Sequence, residues 1–393
     1  MFFSSRHAPD ARCGIIIDVG SASVAAAIVV SEVDSPEPTV VWSYTERCPI
    51  TESPDTVVLA KKVIATLVNV SMEIGTTGLK TLADHDAQLR PMYLHVAVGA
   101  PWSYTVPKQI RYRKDEPFTV TAQLLRELAT AAEHETTEAQ AASPLFESLG
   151  LEVIASTTSH FTANGYHVSD PTGQSTNDLT LVRKVTICQK RLVDAIREVH
   201  ENIAARATLS ITSLMEHMQQ HILTRTVSSK SYGLVDISGD ATEVGIVAEG
   251  VLQNVVSNSL GHYAVAREIA AITHEPESSA FARLQECSNE TLTCAPAAQQ
   301  AECAVVLTRF SETLAKLIGQ AAQMTELPTH YVVHSDTGLR DFARLMTTNA
   351  VNQITNSQHI SVATVSEKLT NIADIPETRL ALSVAVFHTQ HTT

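Results

Sequence analysis

Two stretches of the chain show the same order of an apolar strand, a turn of small polar residues and a second apolar strand. In the first, residues 15–17 are apolar, Asp18 ends the strand, and residues 24–30 form the next apolar run. In the second, Asp236 follows an apolar run and residues 244–247 continue it. An ordinary hairpin with a polar tip would explain either copy alone. Because long-range internal similarity is typical of related domains, the repeat predicts two similar lobes, each with one acid-tipped hairpin.

The spacing of apolar residues predicts the elements that follow the first hairpin. A third strand is predicted at residues 40–44 and a helix at 57–70, where apolar residues recur at helical intervals. Another strand is predicted at 93–99, before the Gly99-Ala100-Pro101 break. Residues 14–99 therefore have the order strand, strand, strand, helix, strand.

Residues 101–188 are predicted to form an inserted module. It would contain strands at 110–113, 151–156 and 179–188 and a helix at 121–133. Asn164-Gly165 predicts a tight hairpin turn, and Asp170-Pro171-x-Gly173 predicts a second turn.

The second half of the chain repeats the alternation of strands and helices. Predicted elements are a helix at 190–203, a connecting segment that includes 214–217, a strand at 250–256, helices at 264–272 and 301–322, a strand, turn and helix over 330–346, and a closing element at 378–387.

The order of these motifs resembles the FtsA/PilM family of bacterial actin-like proteins, within the actin-type ATPase superfamily. The resemblance is carried by the two Asp hairpins, the strand at Asn164-Gly165-Tyr166, the Asp170-Pro171-x-Gly173 turn and the helix at 190–203. It implies an α/β actin-like ATPase fold of two related lobes, with an FtsA-type subdomain inserted in the first. The implied boundaries are 1–100 and 189–226 for the first lobe, 101–188 for the inserted interaction subdomain, 227–359 for the second lobe and 360–393 for the closing element of the first.

The same resemblance implies that ATP and Mg²⁺ bind between the lobes. Asp18 and Asp236 would stand on either side of the metal and serve catalysis, and Glu216 would orient the attacking water. The cofactor-binding residues implied are Gly20, Ser21, Ser23, Ser238, Gly239 and Thr242 at the phosphates, and Gly261, Ser335, Asp336 and Gly338 near the nucleoside.

Three departures from the family pattern argue against vigorous ATP hydrolysis. Ser238-Gly239-Asp240 replaces a run of glycines and adds a negative charge where phosphates would lie. Ser335-Asp336 replaces a glycine pair that lets the backbone approach the ligand closely. The Glu and Lys of the family's nucleoside helix are missing from residues 279–286. The sequence therefore favours at most a slow ATPase, and it leaves open an actin-fold scaffold that does not hydrolyse ATP.

The composition argues against several classes of protein. The 393 residues are 44% hydrophobic and 18% charged, as in globular proteins, and a net charge of −14 argues against binding nucleic acid. No apolar run approaches the roughly 18 residues of a membrane span, and no signal peptide is evident. Six scattered cysteines without a C-x-x-C pair predict reduced thiols, and sixteen dispersed histidines predict no zinc site. These features predict a cytoplasmic protein.

Two functions follow from the resemblance. An FtsA-like protein would assemble into filaments and link a tubulin-like division protein to the membrane. A PilM-like pilus assembly protein would instead bind the cytoplasmic tail of a membrane protein on its inserted module. No basic amphipathic helix follows Phe387, so contact with the inner face of the membrane would need a partner. A sugar or acetate kinase of the same superfamily is disfavoured, since no sugar-binding constellation is present.

Overall fold

The computed structural model describes residues 11–50, 55–141, 150–225, 231–286, 298–336, 338–355, 360–365 and 378–392. The strands are β1 (Arg12–Val19), β2 (Ser23–Ser31), β3 (Thr39–Arg47), β4 (Tyr93–Val98), β5 (Ser103–Thr119), β6 (Leu151–Ala163), β7 (Tyr166–His167), β8 (Ser175–Gln189), β9 (Thr208–Ser213), β10 (Tyr232–Ile237), β11 (Thr242–Ala248), β12 (Val251–Asn258), β13 (His330–Ser335) and β14 (Ser361–Thr364). The helices are α1 (Thr56–Glu73), α2 (Leu79–His85), α3 (Ala122–Ala141), α4 (Lys190–Ala204), α5 (Leu214–Arg225), α6 (His262–Thr273), α7 (Glu277–Glu286), α8 (Gln300–Ala321), α9 (Arg340–Ile354) and α10 (Thr378–Thr392).

The first sheet has the strand order β3-β2-β1-β4-β9, with β1, β2 and β3 antiparallel and β4 and β9 parallel to β1. All nine residues of β2 are buried, because both faces of the sheet are covered. Apolar residues of α1 and α4 pack on one face, and apolar residues of α10 pack on the other. Continuous apolar strands are the expected sequence for a sheet buried on both sides.

The second sheet repeats this arrangement as β12-β11-β10-β13-β14, with β10 in the place of β1. Helices α6, α8 and α9 form its main core, and α5 packs on the opposite face. Asp18 and Asp236 therefore occupy equivalent positions near the ends of the two central strands. The predicted relationship between two lobes is confirmed.

The inserted residues form a third, antiparallel sheet with the order β5-β8-β6-β7, against which α3 packs. Asn164 and Gly165 both have positive φ, 51° and 83°, as a tight hairpin turn requires. The predicted strand at residues 110–113 is only the middle of the longer β5. The ends of β5 were not predicted because the strand is half exposed and carries many charged residues, which obscure the alternation of apolar and polar positions.

Strand β9 was missed in the sequence, where the residues before the second hairpin were interpreted as helix and connecting segment. The strand contains only two aliphatic residues, Leu209 and Ile211, between hydroxyl side chains. Such a short pattern gives little periodicity, and its parallel pairing with β4 decides the structure.

Across the residues that the structure describes, every helix is too short or too polar to cross a lipid bilayer.

Candidate functional site between the two lobes

The tips of the two acid-bearing hairpins touch each other. Ser21 Oγ donates a hydrogen bond of 3.2 Å to Ser238 Oγ, and the Asp240 N–H donates one of 3.0 Å to Ser21 Oγ. A Cβ added at Gly239 would lie 3.0 Å from Cβ of Ala22. The structure thus brings together the loops that the sequence placed around a triphosphate, and leaves them in direct contact.

A buried arginine from α10 lies between the two acids. Arg379 Nε donates a hydrogen bond of 2.9 Å to Asp18 Oδ2, and Arg379 Nη1 is 4.0 Å from Asp236 Oδ2. All three side chains are at most 1% exposed. The guanidinium also faces the first hairpin, since a Cβ on Gly20 would lie 3.0 Å from Nη1. A positive side chain therefore occupies the place between the carboxylates.

Asp236 has a second partner on the neighbouring strand β13. His334 Nδ1 donates to Asp236 Oδ1 across 2.7 Å, and both side chains are buried. Burial by itself would raise the pKa of Asp236, but the charge of Arg379 and the His334 hydrogen bond outweigh it and hold the pKa below its usual value. Asp236 is thus an ionised carboxylate neutralised from within the protein.

Glu243 is a third buried acid, directly opposite Asp236 in the β10–β11 ladder. Burial, and then the negative charge of Asp236, raise the pKa of Glu243 to about 8. Glu243 is therefore mostly protonated at neutral pH and adds little charge to the centre.

Two backbone donors and one hydroxyl that were predicted to hold phosphate oxygens are bonded within the protein. The N–H of Gly20 donates to the carbonyl of Ser23 at 2.9 Å, and the N–H of Ser238 donates to the carbonyl of Ala241 at 2.9 Å. The hydroxyl of Thr242 donates to the carbonyl of Leu260 at 2.6 Å. These contacts close the two turns on themselves.

The N–H groups at the start of helix α6 are also bonded within the protein. The N–H groups of His262 and Tyr263 donate to the carbonyls of Ser238 and Gly239, at 3.0 and 2.9 Å. Free N–H groups at a helix N-terminus commonly bind phosphate, but here they hold the hairpin tip. Gly261 makes this approach possible, because a Cβ at this position would overlap both hairpin carbonyls.

The predicted nucleoside region is filled by side chains. The guanidinium of Arg47 lies 6.0 Å from the ring centroid of Phe281, which packs edge-on against Tyr263. The cavity beside them, which Ser23 and Asp336 also line, has a volume of about 20 Å³. Pockets for drug-sized ligands measure roughly 300–1,000 Å³. This space is too small for a nucleoside.

Asp336 and Gly338 pack against helices α6 and α7 of their own lobe. Gly338 has a φ of 87°, and a Cβ there would lie 2.7 Å from Nε2 of Gln285 on α7. Ser335 is buried, and Asp336 Oδ2 lies 3.3 Å from Nε2 of His262. Burial lowers the pKa of His262 to about 3, so this contact is not an ion pair at neutral pH.

Glu216 has its side-chain contacts with the inserted sheet. Glu216 is buried, and its carboxylate pairs with Lys184 at 3.4 Å and accepts a hydrogen bond from Thr186 at 3.3 Å. Lys184 and Thr186 belong to the inserted sheet, so these contacts join α5 to that sheet. Glu216 is thus a buried acid paired with the inserted sheet, and its role in orienting an attacking water stays a prediction.

Taken together, these residues do not fit Mg²⁺ and a triphosphate. Arg379 lies at the predicted cation position, the N–H groups of Gly20 and Ser238 are bonded within the protein, and the cavity at the predicted nucleoside region measures only about 20 Å³. Within the described ranges, no three His, Cys, Asp or Glu side chains converge as a metal site.

Sequence reasoning missed Arg379, His334 and Glu243. Each is a charged or titratable residue inside an otherwise apolar buried element. That signal is visible in the sequence, and it indicates an internal polar partner because unpaired charges are rarely buried.

A separate buried histidine pair makes stability depend on pH. His95 Nε2 and His217 Nε2 are 2.9 Å apart. Burial, and then the charge of His391, lower the pKa of His95 to about 4. Because the unfolded chain takes up this proton near pH 6.5, His95 alone should lower the stability by on the order of 3 kcal/mol between pH 6.5 and pH 4.

Urea unfolding at several pH values measures this loss. His95→Gln should make the profile between pH 6.5 and pH 4 less steep, while His217 and His262, whose pKa values burial also lowers, continue to contribute. His134→Gln, at an exposed position, should leave the profile unchanged. An equally steep profile for His95→Gln and wild type would contradict the prediction.

No protein-family model matches the chain, and no curated protein is similar to it. Solved structures do match. The PilM–PilN type IV pilus biogenesis complex matches with 12% identity and a TM-score of 0.57, over 97% of this chain and 98% of that one. A Bacteroides thetaiotaomicron protein with an actin-like ATPase fold and unknown function matches with 9% identity and a TM-score of 0.44, over 95% of each chain.

A third match is the activator of 2-hydroxyisocaproyl-CoA dehydratase from Clostridium difficile, with bound ADPNP. It has 11% identity and a TM-score of 0.40, over 97% of this chain and 96% of that one. The similarity to PilM over nearly the full length of both chains shows the fold: the chain has the actin-like ATPase fold predicted from its sequence.

Proposed function

We propose that the chain is an actin-fold scaffold that recruits a protein partner and does not turn over nucleotide. The observation that carries this proposal is the closed contact between the lobes. Arg379 neutralises the two hairpin acids, and Ser21 touches Ser238 directly. An actin-like ATPase positions a nucleotide and its metal between the lobes. Because this chain fills that place with its own side chains, we infer that the fold serves to present surfaces for protein binding.

The proposed partner is the cytoplasmic tail of a membrane protein. A protein partner is supported by the similarity to PilM, whose structure is that of a complex with PilN, and a membrane-protein tail is what the sequence resemblance implied. The proposed docking element is β5, which lies at one edge of the inserted sheet, because an extended tail can add as a further strand to a sheet edge. The partner would hold the protein at the inner face of the membrane.

Mg-ATP, which the sequence resemblance implied, has no part in this proposal, because the residues between the lobes do not fit it. Filament formation and a tubulin-like division partner remain predictions of the resemblance to FtsA.

Site-specific photo-crosslinking in the native host tests the partner. A crosslinking amino acid at Arg113, exposed on β5, should capture a membrane protein; the same amino acid at Lys316, exposed on α8 of the second lobe, should not. The purified protein should also float with native membrane vesicles, and protease treatment of the vesicles should abolish this. Equal capture from both positions, or flotation with protein-free vesicles, would contradict the proposal.

A further inference from the structure

The position of Arg379 on its helix is unusual. Helix α10 covers the first sheet with apolar residues, among them Leu380, Val384 and Phe387. Arg379 begins that buried stretch and has no exposed surface. A cation in the first turn of a helix opposes the helix dipole. Its burial therefore needs strong compensation, which Asp18 and Asp236 supply.

Two acids at the centre have further partners of their own. Asp240 lies 3.6 Å from Arg267 on α6, and Asp236 also accepts the His334 hydrogen bond. Arg379 is the cation that contacts Asp18 on one hairpin and faces Asp236 on the other. Two buried carboxylates without a cation between them would repel each other.

We propose that Arg379 is a built-in cation that takes the place of a divalent metal between Asp18 and Asp236, and holds the two lobes together without metal or nucleotide. The guanidinium is planar and carries five donors, so it can serve carboxylates from two directions at once. The inference does not depend on which partner the scaffold binds.

Thermal unfolding with and without metal tests the wild-type protein directly. Its melting temperature should be the same in EDTA, in Mg²⁺ and in Mn²⁺, because no cation is needed. A rise in Mn²⁺ together with a fall in EDTA would overturn the proposal.

Removal of the guanidinium should create a metal requirement. Arg379→Ala should lower the melting temperature by roughly 6 °C or more, since it leaves two buried carboxylates without their cation. Mn²⁺ should restore part of that loss, and should restore none of it in Arg379→Ala with Asp236→Asn. A loss of packing alone would not respond to Mn²⁺, so the absence of this rescue would overturn the assignment.

Gly99 provides a second test of where the guanidinium lies. A Cβ at Gly99 would overlap Arg379 Nη2. Gly99→Ala alone should therefore lower the melting temperature clearly, but should have a much smaller effect when combined with Arg379→Ala. Additive effects of the two substitutions would overturn the proposal, because contacting residues are expected to be coupled.

If Arg379→Ala does not fold, two other variants decide the question. Arg379→Lys keeps the charge and should unfold at a temperature between those of wild type and Arg379→Met. The triple variant Asp18→Asn, Asp236→Asn and Arg379→Met removes the whole charge group and should be more stable than Arg379→Met alone. The opposite order in either comparison would overturn the proposal.

Discussion

Asp18→Asn is expected to lower the free energy of unfolding by about 3–5 kcal/mol in buffer without metal or nucleotide. The substitution keeps the shape of the side chain but removes the charge that Arg379 contacts at 2.9 Å, and Asp18 and Arg379 are both fully buried. An uncompensated buried guanidinium is costly. Equilibrium unfolding in urea measures the change.

The matched control is Asp194→Asn, which removes a carboxylate from an exposed ion pair with Lys190 on α4. Its effect should stay within about 0.5 kcal/mol. If Asp18 instead served a metal that is absent from the buffer, Asp18→Asn would relieve repulsion and leave the protein equally or more stable. That result would contradict the role assigned to Arg379.

Gly261→Ala is expected to cost about 3 kcal/mol, because its Cβ would overlap the carbonyls of Ser238 and Gly239. The hairpin tip would have to separate from α6, whose first N–H groups bind those carbonyls. Urea unfolding again gives the measurement.

Gly319→Ala is the control for this prediction. Gly319 lies inside α8, and no atom lies within 4 Å of its added Cβ. Alanine there should stabilise the protein by roughly 0.5–1 kcal/mol, since it favours the helix more than glycine does. A Gly261→Ala protein as stable as wild type would show that the hairpin and α6 are not packed as described.

Much of the fold could be predicted because its central strands are continuous apolar runs that end in an acid and a small turn. The repeat around Asp18 and Asp236 predicted two related lobes, and turn residues such as Asn164 and Gly165 predicted a hairpin in the inserted sheet. These are local patterns. Strand β9 was missed because its short, hydroxyl-rich sequence becomes a strand only by pairing with β4.

The contents of the site could be predicted only in part. Glycines and hydroxyls in a turn look the same whether their donors bind phosphate or close the turn, as those of Gly20 and Ser238 do. The contact between Arg379 and Asp18 joins residues 361 positions apart, so no local pattern contains it. The filling of the nucleoside space by Arg47 and Phe281 also depends on how the lobes pack.

Isothermal titration of the wild-type protein with Mg-ATP tests the central claim most directly. The account predicts no heat of binding and an unchanged melting temperature at millimolar Mg-ATP, because Arg379 and the two hairpins already fill the space between the lobes. A saturable binding isotherm, with stabilisation of about 2.7 kcal/mol at one hundred times the dissociation constant, would contradict it.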